Sequence, residues 1–357
     1  MNGATKVFVG LSGGVDSSVA ALRLVRAGYQ VTGVFIKVWQ PDFLRCNWEA
    51  ERLDAMRVAA TLGIPFLTCD ASARYKQDVV DYLVREYRAG RTPNPDTMCN
   101  RHVKFGAFLD FADAHGADYI ATGHYAQRID ADNVPALYRG ADTAKDQSYF
   151  LSLLAREQLV RALFPVSDST KATIRAEAAA AGLPTAEKPD SQGVCFLGAL
   201  DMKDFLTHFM PQVPGVVEDE HGTTLGEHDG AYFYTIGQRH GFRITASGAH
   251  TEPHYVIAKD IARNTLTVST KKPQTETGHA TESFVLSDTN LLVDTLPEEV
   301  LVQTRYRQVP VPAKIIRDDG NTLRVHLSAP LELPAAGQVC ALYDGDRCLG
   351  GGTITHL

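Results

Sequence analysis

The stretch Lys6-Val7-Phe8-Val9-Gly10-Leu11-Ser12-Gly13-Gly14-Val15-Asp16-Ser17-Ser18 decides how this chain folds. Val7 to Val9 are β-branched or aromatic, and Lys6 to Gly10 predicts a short buried strand. Asp16 to Ala27 predicts a helix, because Val19, Leu22 and Val25 recur at helical spacing and Gly28 stops it. Between them lie two adjacent glycines, which let a backbone approach a ligand closely. A strand, a glycine turn and a helix N-terminus form an anion site, with N–H groups pointing outward and a helix dipole that favours negative charge. Ser12 and Ser17 add hydroxyls. The loop has no G-x-x-x-x-G-K-[ST] pattern and so brings no lysine of its own to a phosphate.

Outward from this unit, strands and helices alternate. Val31 to Val38 and Pro65 to Cys69 predict the second and third strands, and Asp118 to Ala121 the fourth. Trp48–Leu62, Tyr75–Gly90 and Phe105–His115 predict helices. The repetition implies an α/β fold with a doubly wound, mostly parallel sheet, which binds ligands at the carboxyl ends of its strands. Ser12 to Ser17, Ile36 and Gly123-His124 fall on that edge. After about residue 205, prolines and glycines punctuate short alternating runs such as Thr265-Leu266-Thr267-Val268, which predict small β modules. The expected units are 1–205, a small central domain at 206–275, and a C-terminal β-barrel at 280–357. No internal repeat or low-complexity tract is present.

The chain has 357 residues, 44% hydrophobic and 22% charged, as expected of a soluble globular protein of two or three domains. No apolar run reaches the length of a membrane span, and strand residues begin almost at once, so neither membrane nor signal peptide is expected. Six cysteines without regular spacing argue for a reducing cytoplasm, and no ligand-spaced Cys/His set predicts a structural metal. The formal net charge of −7 speaks against general nucleic-acid binding but leaves room for a local basic face. Arg88, Arg91, Arg101, Lys104 and Arg305-Tyr306-Arg307 are its candidates.

Two cysteines stand out. Cys99 follows Pro93-Asn94-Pro95-Asp96, and two prolines so close predict a stiff loop. Cys195 follows Ser191-Gln192-Gly193-Val194 and is also expected in a loop. Cys69, Cys340 and Cys348 lie in or beside apolar strand segments and are expected to be core residues. Cys46 fits either reading.

The string Ser12-Gly13-Gly14-Val15-Asp16-Ser17 resembles the pyrophosphatase loop of enzymes that cleave ATP to AMP and pyrophosphate. Gly90 to Asn100, Ala121-Thr122-Gly123-His124-Tyr125, Lys145-Asp146-Gln147-Ser148-Tyr149-Phe150, Gly193-Val194-Cys195-Phe196, Thr235-Ile236-Gly237-Gln238-Arg239 and Thr304-Arg305-Tyr306-Arg307-Gln308 resemble the tRNA-specific 2-thiouridylases, in order and nearly end to end. One departure is Ala336 before Gly337-Gln338, where that family often has proline.

The resemblance implies an adenine nucleotide alpha hydrolase-like sheet and ATP-dependent thiolation of the wobble uridine of tRNA. It places ATP, with Mg²⁺, on Gly10, Leu11, Ser12, Gly13, Gly14, Val15, Asp16 and Ser17, with Ile36 and Gly123 flanking the adenosine. It makes Cys195 the persulfide carrier and Cys99 the nucleophile, acting on that persulfide or on the base itself. Asp96 becomes a proton-handling carboxylate. The tRNA contacts it implies are Asn94, Pro95, Asp96, His124, Lys145, Asp146, Gln147, Arg305, Tyr306 and Gln338. The implied partners are tRNA and a persulfide donor, a sulfur carrier or cysteine desulfurase, and the enzyme is expected to be a cytoplasmic monomer. Three other readings compete. A related ligase would need no thiol pair. An iron–sulfur cluster would replace the persulfide relay. A non-catalytic tRNA-binding protein would not need the glycine loop.

Overall fold

In a computed structural model the described residues are 4–43, 48–131, 134–190, 201–246, 252–271, 280–317, 321–332 and 334–355. Strand β1 (Lys6–Gly10) is completely buried over Val7 and Val9 and leads into helix α1 (Val15–Arg26). Strands β2 (Gln30–Lys37), β3 (Phe66–Asp70) and β4 (Tyr119–Ala121) follow, with helix α2 (Trp48–Leu62) between β2 and β3. A hairpin of β5 (Ala126–Ala131) and β6 (Val134–Arg139) comes next, then the short β7 (Ala162–Leu163). The first sheet has the order β3-β2-β1-β4-β7, and all its pairs are parallel. The strand order reverses between β1 and β4, which puts the crevice of the sheet beside the glycine loop. The doubly wound expectation therefore holds, and the predicted bounds of α2 coincide with the observed ones.

The expected loop around Cys99 is a correction. Helix α3 (Pro95–Cys99) continues as π-helical turns over Asn100–Ala107 and as α-helix over Phe108–Ala114. Asn94 caps α3, its side-chain oxygen accepting the Thr97 N–H at 3.2 Å, and Pro95 opens it. Proline is disruptive inside a helix but tolerated in the first turn, where its missing N–H has no partner to lose. The helix predicted from Phe105 thus begins ten residues earlier. Cys99 ends α3 and is buried. Cys46 and Cys195 lie outside the described residues.

The central unit is a sheet of β8 (Gly215–Glu218), β9 (Thr224–His228), β10 (Arg243–Ile244), β11 (Tyr255–Asp260) and β12 (Thr265–Ser269), in the order β10-β9-β8-β12-β11. The last unit holds β13 (Ala280–Leu291), β14 (Glu299–Gln303), β15 (Val311–Arg317), β16 (Leu323–Glu332), β17 (Val339–Asp344) and β18 (Arg347–Thr355). These six run β13-β16-β15-β14-β17-β18, and β13 pairs with β18 to close a barrel. Closure removes the sheet edges that would otherwise invite pairing with other chains.

The hairpin was not foreseen. β6 pairs with β18 through Tyr138↔Arg347 and Leu137↔Cys348, so a piece of the N-terminal half extends the barrel's sheet. One apolar cluster runs through both halves, joining Cys99, Phe105 and Tyr149 to Val339, Ala341 and Tyr343. Cys69, Cys340 and Cys348 are buried, as expected of core residues; burial pushes the Cys69 thiol up to about 11 and the Cys348 thiol up to about 12. No helix among the described residues is long and apolar enough to cross a membrane.

Candidate active site

The glycine loop is built for close approach. Gly13 has φ +75°, and a methyl group there would sit 2.7 Å from the Glu51 carbonyl oxygen. Gly14 precedes α1, whose first turn carries Asp16. The loop hydroxyls close on themselves: Ser17 Oγ donates to the Gly14 carbonyl at 3.0 Å and lies 3.3 Å from Ser12 Oγ. Gly123, just after β4, packs on this helix mouth, where a methyl group would come 2.7 Å from the Ser17 nitrogen. Any larger residue would push the two apart. Ile36, near the end of β2, touches Gly10, with Cδ1 3.4 Å from where a methyl group on that glycine would lie. The expected nucleotide-binding residues Gly10 to Ser17, Ile36 and Gly123 are thus gathered at one sheet edge.

Asp16 does not stand alone there. Tyr125 Oη donates to its Oδ1 at 2.7 Å, and Lys171 Nζ donates to Oδ1 and Oδ2 at 2.8 and 2.7 Å. Lys171 opens helix α4 (Lys171–Ala180) and also pairs with Asp190 at 2.8 Å. Asp190 is further held by Lys145 and Arg175, each at 2.8 Å. Burial alone would raise the Asp190 carboxyl pKa, but the bonds from Lys145 and Lys171 outweigh it and bring it down to about 2. Lys188, which would lie 3.4 Å from a methyl group on Gly13, is paired with Asp54 at 2.7 Å. Burial, with the bond to Asp16 next, pushes the Tyr125 phenol well up. Lys171, Lys188, Tyr125 and Asp190 were missed in the sequence. Tyr125 lay within Ala121-Thr122-Gly123-His124-Tyr125, and Asp190 directly precedes the Ser191-to-Cys195 string.

The helix bearing Cys99 reaches the same edge. Phe108, nine residues further on, packs on Gly10. Asp96 lies on the first turn of α3, where burial raises its pKa and the Lys104 charge opposes the rise. Burial likewise holds His124 well below its usual value, with Lys104 adding to the effect. The expected site residues Asp96 and His124 therefore share the field of one lysine. His124 is buried, its Nδ1 2.8 Å from Thr122 Oγ1 and its ring against Phe105. On either side of Cys99, Thr97 Oγ1 and Asn100 Oδ1 are buried without a hydrogen-bond partner. Such orphaned atoms are rare and mark strained or ligand-facing places.

The segment ahead of α3 is tied to both other units. Gln338 Nε2 donates to the Thr92 carbonyl at 2.8 Å and the Pro93 carbonyl at 3.4 Å, and Thr92 N–H donates to the Ala336 carbonyl at 2.8 Å. Thr92 Oγ1 lies 3.1 Å from Thr235 Oγ1 of the central unit. The turn around Gln338 forms with Ala336 in place of proline: Gln338 N–H reaches the Ala335 carbonyl at 3.2 Å and Gly337 has φ +91°.

The other expected tRNA contacts divide. Asp146 is turned inward: its carboxylate accepts from Arg139 at 2.9 Å, from Gly140 N–H at 3.0 Å and from both Ser148 groups. It braces the hairpin rather than presenting a charge. Gln147 Oε1 accepts the Tyr125 N–H at 3.0 Å. Tyr306 packs on Phe150, ring centroids 4.6 Å apart, with Arg307 5.2 Å over its ring. Among the candidate basic residues, Arg91 is engaged by Glu86 and Arg88 by the Phe209 carbonyl.

Family models match the chain throughout. Residues 5–199 match one described as a tRNA methyl transferase HUP domain, 203–270 a tRNA methyl transferase PRC-barrel domain, and 281–354 an aminomethyltransferase beta-barrel domain. The tRNA-specific 2-thiouridylase MnmA of Akkermansia muciniphila is 45% identical over 355 residues, covering 99% of each chain. That of Enterococcus faecalis is 44% identical over 99% of this chain and 96% of its own, and that of Geobacillus thermodenitrificans 43% identical over 99% and 95%. With its glycine loop, buried Cys99 and closing barrel in one frame, and relatives matched end to end, the chain belongs to the tRNA-specific 2-thiouridylase family of tRNA-modifying enzymes.

Proposed function

We propose that this enzyme exchanges the C2 oxygen of a tRNA wobble uridine for sulfur, at the expense of ATP. The observation that carries the reading is the meeting of two elements at one sheet edge. The phosphate-type loop 10–17 touches Gly123, and the next residue, His124, shares the field of Lys104 with Asp96, one turn from Cys99.

In the first stage the uracil O2 attacks the α-phosphorus of ATP, and the bond to the β-phosphate breaks with its electron pair leaving on pyrophosphate. The N3 proton passes to a base. Asp96, whose carboxyl burial pushes above its ordinary value, is the candidate for that duty. In the second stage the Cys99 thiolate attacks the sulfur of a Cys195 persulfide, forming a disulfide and releasing hydrosulfide. Hydrosulfide adds to C2, the C2–O bond breaks and AMP leaves. A thiol reductant then resets the disulfide.

The donors on the loop fit a magnesium ion held largely by phosphate oxygens. Asp16 is a single carboxylate beside the Ser12 and Ser17 hydroxyls, and among the described residues no group of three or more His, Cys, Asp or Glu forms a metal cage. Bound there, the ion neutralises phosphate charge. On the tRNA side, this reading assigns contacts to Arg305 and Tyr306 on the barrel, to Lys145 and Gln147, and to Asn94, Pro95 and His124.

The test is mass spectrometry of anticodon nucleosides from tRNA incubated with the protein, ATP, Mg²⁺ and a persulfide source. The expected product is 2-thiouridine at the wobble position with AMP and pyrophosphate released, and none with Cys99→Ser. Thiolation that persists in Cys99→Ser, or ATP-independent thiolation, refutes the scheme.

A further inference from the structure

The glycine loop lacks a cation of its own, yet the chemistry proposed for it leaves the most highly charged product, pyrophosphate, at its mouth. The fold brings a cation there from far along the chain. Lys171 Nζ lies within 2.8 Å of both Asp16 oxygens, 155 residues away in sequence, and its side chain is only 15% exposed. Its second partner, Asp190, is also held by Lys145 and Arg175. The cluster thus sets three cations, Lys171, Lys145 and Arg175, among the carboxylates of Asp16 and Asp190, with Asp142 accepting the Lys171 backbone N–H at 3.0 Å. Nor is Lys171 committed to Asp16 alone. When a phosphate takes its place on the loop, the ammonium can leave Asp16 for the phosphate and keep Asp190. The cost of stranding a buried charge is then avoided.

We propose that Lys171 is the phosphate-binding lysine that the loop itself lacks. It holds Asp16 in the empty loop and turns to the β- and γ-phosphate oxygens when ATP arrives. As the bond between the α-phosphorus and the bridging oxygen breaks, the electron pair stays on that oxygen and negative charge grows on the leaving pyrophosphate. The Lys171 ammonium stabilises that charge. Asp190, with Lys145 and Arg175, sets its position. This role rests on the adenylation reading given above.

The test uses the full-length protein and measures equilibrium binding of radiolabelled pyrophosphate and of AMP separately, besides tRNA-dependent pyrophosphate release. Loss of a charge-assisted contact predicts pyrophosphate binding weaker by about 10-fold or more in Lys171→Ala, with AMP binding changed by less than about 2-fold. The release rate falls about 100-fold, as when an electrostatic stabiliser of a leaving group is removed, while tRNA affinity stays at the wild-type value. Lys171→Arg, which keeps the charge, restores most of the pyrophosphate affinity. Pyrophosphate binding as tight as wild type in Lys171→Ala overturns the proposal, and so does equal weakening of pyrophosphate and AMP, the mark of a structural brace. If Lys171→Ala fails to fold, Lys171→Met, which fills the same space without charge, decides by the same two affinities. ADP and phosphate as wild-type products refute adenylation itself, an outcome separate from the binding ratio that judges Lys171.

Discussion

Gln338 offers a test of whether the barrel positions the catalytic helix or only touches tRNA. Its amide nitrogen donates to the carbonyls of Thr92 and Pro93, at 2.8 and 3.4 Å, immediately before the capped helix that carries Asp96 and Cys99. Gln338→Ala removes one good hydrogen bond and one weak one and leaves the Thr92 carbonyl without that donor. The net loss is ~1–2 kcal/mol of stability. The catalytic effect should be larger, because a displacement of about 1 Å in a reacting group costs on the order of 100-fold. We expect kcat for thiolation to fall at least ~10-fold while the KM for tRNA changes little. Gln338→Glu should be worse than Ala, since it points a carboxylate at two carbonyl oxygens. The assay is steady-state thiolation at two salt concentrations together with urea unfolding of each variant. A variant with wild-type kcat, a raised KM and a flatter salt dependence would refute the clamp and make Gln338 a plain tRNA contact.

Two further outcomes follow from the charges. The bonds from Lys145 and Lys171 hold the Asp190 carboxyl down at about 2, below its ordinary 3.8, so the ion pairs contribute stability that is fully present above the unfolded value and is lost as pH falls through the folded one. The difference is worth ~2 kcal/mol, and Asp190→Asn should forfeit at least that at pH 7 and flatten the acid decline between about pH 4 and 2 in urea unfolding; an unchanged decline excludes Asp190 as its source. Removing the side-chain charges of Arg305 and Arg307 should weaken tRNA binding and lower the log–log salt slope by about one unit per lost phosphate contact, with ATP affinity untouched; an unaltered slope makes the Arg-Tyr-Arg run a solvated part of the barrel.

Much of this was legible in the sequence because it is local. A buried strand, two glycines and a helix with Asp16 in its first turn are neighbours in the chain, and the structure keeps them so. The family was legible because its motifs are strings. Cys99 was misplaced in a loop because two prolines were read as breakers, whereas Pro95 occupies the one helical position where proline is harmless and Asn94 supplies the cap. The Lys171 contact was invisible for the opposite reason. Lys171 begins an ordinary amphipathic helix, and nothing in its neighbourhood signals that the ammonium reaches a carboxylate at the other end of the domain. Asp146 sits in a motif that the resemblance assigns to tRNA, and its carboxylate makes four inward bonds that hold the hairpin still.

That hairpin ties the barrel to the half of the chain that carries Cys99. A domain joined only by a linker would swing, and contacts made on it would say little about the distance to the thiol. Here β6 hydrogen-bonds to β18, Arg139 of the hairpin pairs with Asp146, reaches Gln303 at 3.1 Å and lies 3.8 Å over the Tyr343 ring, and the core runs unbroken from α3 into the barrel. A short physical path then leads from the barrel surface to Cys99. Tyr306 packs on Phe150, the Phe150 carbonyl accepts the Asn100 amide at 3.1 Å, and Asn100 follows Cys99. If Arg305 and Tyr306 hold tRNA as proposed, the distance from that contact to Cys99 is set by packed side chains and not by a linker. On the proposed reading, in which the target base must leave its stack to be modified, that fixed distance sets how far a tRNA contact on the barrel lies from the thiol.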